Sequence, residues 1–443
     1  MQRTLFIACL LVVVTSATKT AFATSLTLSQ ILSDPTMQAL SGESFGTSVA
    51  ISGNYALVGA PGYDQSIGKV QLFDTTGTLL RTFDNPAPSA SSDYFGWSVA
   101  MDGNNVLIGA PSTETSSGVA GRAFLFDASS GSLLRTFTNP YANSPSDLFG
   151  WSVALQGGNV LIGAPLDDSN STDHGLVYLF DASTGVRLNS FYGPAGQISG
   201  RFGDSVDIDG NRVVIGHPLA DGGTGRAYVY DISTVDQLGG VDTAQLLHTL
   251  SDTFGLPSDQ FGGAIAIDGD MIVVGAERND TQGNNVGRAF LFDAVGGALL
   301  RSLDDPTASG EDRFGWSVDI DGTRVIVGAW GDDTNGASVG QAYLFDAITG
   351  ALLQSLDDPT ITSADFFGQA VSINGDRVLV GAIGDDTQDT NVGQAYLFSP
   401  SSTTVPEPTG SALLGIGLAA MVALRQRRPR LARTNRGYQA DNV

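Results

Sequence analysis

Between residues 314 and 356 the alternation of apolar and polar side chains changes character several times. Trp316, Val318 and Ile320 alternate with polar neighbours, the period of a strand with one buried face. Asp321-Gly322 supplies a turn, and residues 324–329 then form an apolar run that predicts a strand buried on both faces. Residues 340–346 read as a third strand ending at Asp346. Ala347-Ile348-Thr349-Gly350 is a turn with glycine available for a left-handed position, and residues 351–356 are the fourth strand.

The unit recurs. A Phe-Gly pair stands at Phe45, Phe95, Phe149, Phe202, Phe261, Phe314 and Phe367, at spacings of 50, 54, 53, 59, 53 and 53 residues. Fourteen residues after each Phe comes Gly59, Gly109, Gly163, Gly216, Gly275, Gly328 or Gly381. Seven units of four short strands predict an all-β fold, a seven-bladed β-propeller over residues 26–399. The last unit lacks a fourth strand, and the segment "LTLSQILSDPT", starting at Leu26, matches "ALLQSLDDPT" of the sixth. The N-terminal strand is therefore expected to complete the last blade, so that the ring closes with no open sheet edge at the seam.

Both ends depart from this pattern. Residues 1–23 combine Arg3, an apolar core and Ala21-Phe22-Ala23, a secretory signal peptide with its cleavage site. The single cysteine, Cys9, lies inside it, so the mature protein has no disulfide. Residues 400–409 form a linker containing Val405, Pro406, Glu407 and Pro408; residues 410–424 are an apolar, transmembrane-type segment, and residues 425–443 a basic tail on the cytoplasmic side. This arrangement resembles the PEP-CTERM sorting signal of Gram-negative bacteria. The resemblance implies export through the inner membrane, membrane attachment before processing by an exosortase-type enzyme, and delivery to the cell surface or an extracellular polysaccharide matrix.

Charge narrows the partners. The chain carries a formal net charge of −24. The two ends hold eight of the 22 basic residues and one of the 46 acidic ones, which leaves the central part near −31. Such a surface repels nucleic acid and suits cations or neutral glycans.

Residues 95–111 and 149–165 carry Phe-Gly and Gly-Ala-Pro at a set distance, so the chain resembles the FG-GAP repeats of integrin α-subunit propellers and their bacterial relatives. In those propellers a loop between the first and second strands binds calcium through a D-x-D-x-D-G-x-x-D pattern. Here Asp207 and Asp209, or Asp319 and Asp321, would be the ligands of such a loop. Each stops at a glycine followed two residues later by arginine, which favours a tight hairpin turn over a metal loop. The other face is richer in carboxylates. Loops between strands two and three contain Asp167, Asp168, Asp332, Asp333, Asp385, Asp386 and Asp389. An acidic residue also stands two before Phe-Gly in six units: Glu43, Asp93, Asp147, Asp259, Asp312 and Asp365. The fourth unit has Gly200 there instead.

This face is expected to be an acidic surface in which aspartates cap turns or bind calcium weakly, the one cofactor the residues suggest. None of the three histidines stands in a motif with a nucleophile and an acid. His217 replaces the Ala of Gly-Ala-Pro and reads as structural; Trp97, Trp151 and Trp316 read as packing between blades. The expected role is non-enzymatic binding or scaffolding, with adhesion to polysaccharide or a surface protein. The competing class is an extracellular glycan hydrolase, which would need a compact pair of buried carboxylates in the central channel.

Overall fold

The computed structural model describes residues 25–35, 42–89, 92–115, 118–141, 146–169, 174–194, 200–235, 243–385 and 392–401. In blade six, the inner strand Ser317–Asp321 alternates in burial, and the second strand Arg324–Ala329 is buried from its second residue onward. Gln341–Asp346 and the outer strand Leu352–Asp357 complete an antiparallel sheet in chain order. The other blades repeat this plan over residues 48–84, 98–138, 152–192, 206–250 and 264–304, numbered one to five. Every pairing between third and fourth strands contains a register shift, for example between Leu344 and Phe345. Such bulges add twist to the outer edge of each blade.

Blade seven is built from both ends of the chain. Phe367–Asn374, Arg377–Ala382 and Gln394–Pro400 are joined by Leu26–Leu32, with Leu26 opposite Pro400 and Leu32 opposite Ala395. The expected ring closure is thus observed.

The repeated motif has a steric cause. In all seven units the Gly-Ala glycine faces the carbonyl oxygen of the next blade's Phe-Gly glycine, and a Cβ would overlap that oxygen. The series closes on itself, with Gly381 against Gly46. The Phe-Gly glycines have φ between 88° and 95°, a left-handed conformation that side chains disfavour. The phenylalanines are fully buried, each against aromatic rings of its own third strand, as in Phe314 with Tyr343 and Phe345. Hydrophobic cores therefore lie between neighbouring blades: one joins Val273 and Leu291 of blade five to Val318 and Val325 of blade six.

Candidate functional site

The D-x-D-G turns hold the ring together. Asp209, the last residue of its inner strand, accepts a hydrogen bond at 2.8 Å from the Gly269 amide in the next blade's turn. Asp102 does the same with Gly157 (2.8 Å), Gln156 with Gly210 (2.5 Å), Asp268 with Gly322 (2.7 Å) and Asn374 with Gly53 (3.0 Å), and Asp321 with Gly375. One position earlier, Asp207 and Asp319 line the central channel. Asp207 accepts from the Ile208 amide and, at 2.7 Å, from Ile267 of blade five. Asp319 accepts from Ile320 and, at 2.7 Å, from Ile373 of blade seven. Burial pushes Asp207 up to about 7 and Asp319 up to about 6, although the backbone donors oppose the shift. All four candidate loop aspartates thus act as acceptors between or within blades, the arrangement of a hairpin turn.

The opposite face differs from the expected acidic surface. Glu43, Asp93, Asp147, Asp259, Asp312 and Asp365 are all buried. Asp93, Asp147, Asp259, Asp312 and Asp365 each accept hydrogen bonds within a small polar set that differs from blade to blade, whereas neither carboxylate oxygen of Glu43 has a hydrogen-bond partner. In blade three the Asn139 amide donates to both Asp147 (2.8 Å) and Asp167 (2.7 Å). In blade five Asn279 donates to Asp252 (3.2 Å) and Asp259 (3.1 Å). Asn85 donates to Asp93 at 2.8 Å in blade two, and in blade one Lys69 pairs with Asp34. Blade four has no carboxylate in this place. A Cβ on Gly200 would overlap the His217 imidazole, so the histidine occupies the space, edge-on to Phe202 at 5.6 Å. Burial there lowers His217 to about 4.

Blades six and seven are different again. Asp305, Asp312 and Asp332 bring ligand oxygens within 4.8 Å of one another; the backbone amides of Thr307, Ser309 and Thr334 donate to them, but no side-chain amide or ammonium group bridges them. Asp305 is 3% exposed and its Oδ2 has no hydrogen-bond partner. Thr307 Oγ1 bridges Asp305, Asp332 and the Tyr343 hydroxyl. Burial is the first cause that pushes Asp305 up to about 7 and Asp312 up to about 6. Blade seven repeats the pattern: Thr360 bridges Asp358, Asp385 and Tyr396, and Asp358 Oδ2 has no partner. Asp333 is exposed and accepts from the Ser338 amide, and Asp168 is exposed. Asp386, Asp389, the Val405–Pro406–Glu407–Pro408 motif, the signal peptide and the segment 410–424 lie outside the described residues. Among the described residues no helix is long and apolar enough to cross a membrane.

The tryptophans also depart from expectation. Trp97, Trp151 and Trp316 line a cavity at the axial mouth on the loop face, rather than the cores between blades. Asp204 and Glu277 share this cavity, raised by burial to about 6 and about 7. Neither carboxylate carries a motif that singles it out in the sequence; only the replacement of Pro by Glu277 in the fifth unit marks it.

A comparison with curated proteins found no match. The family model described as FG-GAP repeat matches at residues 38–73, 87–126, 143–180, 196–230, 249–292, 303–345 and 360–398, together more than half of the chain. The PEP-CTERM protein-sorting motif matches at residues 404–428. It marks the chain for processing by an exosortase and for export to the surface or exterior of a Gram-negative bacterium. With seven matched repeats on seven observed blades, the chain belongs to the FG-GAP repeat family, as an exported propeller bearing a PEP-CTERM motif.

Proposed function

We propose that the protein is a non-enzymatic binding and scaffold protein of the cell surface or extracellular matrix, an adhesion module whose loop face takes up calcium. The observation that carries this reading is the blade-six set. Asp305, Asp312 and Asp332 converge where blades three and five place a side-chain amide between two carboxylates and blade one pairs Lys69 with Asp34. Calcium takes six to eight oxygens, so three carboxylates supply the charge and hydroxyls or water complete the shell. Extracellular calcium modules work with affinities of roughly 10⁻⁴–10⁻³ M, which an imperfect site can reach.

The test is a thermal melt of the full protein in EDTA, in millimolar calcium and in magnesium at matched ionic strength. At tenfold excess over Kd, binding to the native state adds about 1.4 kcal/mol. A calcium-specific rise is expected, lost in Asp305→Asn/Asp332→Asn and kept in Asp321→Ala. Absence of that rise in the wild type removes calcium from the proposal.

Glycan hydrolysis is the second reading, favoured by Glu277 and Asp204. Burial holds Glu277 near 7, so it keeps a proton near neutrality, as a general acid requires. Asp204 is paired with Arg201 at 2.5 Å, which occupies the group that would serve as its counterpart. Release of reducing ends from a matrix polysaccharide, abolished in Glu277→Gln, would replace the binding reading with this one.

A further inference from the structure

The chain has four tryptophans: Trp97, Trp151 and Trp316 line one cavity, and Trp330 packs against Trp316. Trp97 and Trp151 lie with ring centroids 4.7 Å apart at 42°, and the Arg201 guanidinium sits 5.0 Å over the Trp151 ring. Further around the same mouth, Trp316 packs edge-on against Trp330 at 5.6 Å, and Trp330 against Phe366 at 5.3 Å. The fold does not require this. Positions equivalent to Trp97, Trp151 and Trp316 hold Thr47, Asp204, Gly263 and Gln369 in the other four blades, and the ring closes equally well through them. Trp316 remains 37% exposed, and no tryptophan belongs to a core between blades.

The polar groups of the mouth are just as selective. Glu277 stands where four blades carry proline, and it is 5% exposed. It projects into the space left by Gly263, whose Cβ would lie 2.7 Å from Glu277 Oε2. That oxygen has no hydrogen-bond partner. Two arginines, Arg201 and Arg278, balance Asp204 and Glu277, so the lining carries no net charge when both acids are ionised. The cavity measures about 490 Å³, within the usual range for small-molecule pockets.

We propose that this axial mouth is a saccharide-binding site: indole faces stack a sugar ring, and Glu277 Oε2 accepts hydrogen bonds from its hydroxyls. Aromatic faces take the apolar C–H side of a sugar, while a buried carboxylate oxygen without a donor takes its hydroxyls. Two acids facing two arginines leave no cluster of one sign in the lining, which favours a neutral saccharide over a polyanion or polycation. The assignment rests on the binding role proposed above and names the ligand class.

Because three of the four tryptophans line the mouth and the fourth packs against one of them, intrinsic fluorescence of the full protein reports on it. The titrants are a neutral β-1,4-glucan hexasaccharide, its N-acetylglucosamine counterpart, and oligogalacturonate as the anionic comparison. A saturable fluorescence change with a neutral oligosaccharide is expected. Trp97→Thr/Trp151→Thr, which copies Thr47 of blade one, should weaken binding at least tenfold with an unchanged melting temperature. Glu277→Gln should weaken it several-fold. No response to either neutral sugar, a preference for the anionic one, or equal binding by the tryptophan variant would overturn the assignment. Retention of the protein on intact matrix separates the two levels. Retention that survives in the tryptophan variant refutes the sugar site alone, whereas absence of retention in the wild type refutes the binding role itself.

Discussion

Asp207 and Asp319 offer a quantitative test of whether the channel carboxylates are structural. Each accepts an amide from its own strand and one from the following blade, and burial raises them to about 7 and about 6 from an ordinary 3.8. A carboxyl whose pKa is raised in the folded state binds more protons there than in the unfolded chain. Its contribution to stability is complete below about pH 4 and is lost as pH rises through 6 to 7. At 1.36 kcal/mol per pH unit, shifts of roughly three and two units set a ceiling of about 7 kcal/mol for the pair. Both residues face a channel that water reaches, so roughly half of that, about 3 kcal/mol, is the working figure.

Blade seven supplies the control substitution, because Ser372 stands at the equivalent position and accepts from the Ile51 amide at 3.3 Å. Asp207→Ser/Asp319→Ser should retain the inter-blade acceptors without a titrating group. The assay is urea unfolding at pH 5, 6, 7 and 8. Between pH 5 and 8 the wild type should lose about 2 kcal/mol more than the variant, the rest of the contribution having gone between pH 4 and 5. Parallel stability curves would refute the reasoning and reopen the channel pair as chemically active groups.

Two further substitutions test the steric logic of the ring. Gly328→Ala would drive a Cβ into the Gly368 carbonyl and the Ser317 hydroxyl, and overpacking of this kind costs about 1–3 kcal/mol. A melting temperature equal to that of the wild type would show that the two blades are not in the contact described. In blade four, Gly200→Asp alone should destabilise by overlap with His217, and adding His217→Ala should restore much of the loss by recreating the arrangement of blade three. Simple additivity of the two changes in a double-mutant cycle would argue against that exchange. The wild type should also lose stability between pH 6.5 and 4, because His217 resists the proton that the unfolded chain accepts, and His217→Ala should remove this component.

The architecture was legible because it is written in local periods. Alternation in "WSVDI", the apolar run after Asp321-Gly322 and the recurrence of Phe-Gly describe strands and turns within a few residues of one another. The match between residues 26–36 and the sixth outer strand likewise gave away the seam, since blade-seven pairing needs only a strand of the right pattern. The use of the carboxylates was not legible. Asp209 and Asp321 look like a shortened calcium loop until the amide of the next blade, 60 residues further for Asp209 and 54 for Asp321, is placed against them. In the sequence Gly200 and His217 stand as two separate departures from the repeat; only packing makes them one substitution of side-chain volume. Similarly, Trp97, Trp151 and Trp316 occupy half-exposed positions next to a fully buried phenylalanine, and pattern alone cannot distinguish packing from lining. Sequence by itself determined the blades, their number and the closing strand, because backbone pairing depends on period. Tertiary structure decided which polar groups bind the ring together and which remain without a partner, because a polar atom's role depends on the neighbour that closure brings to it.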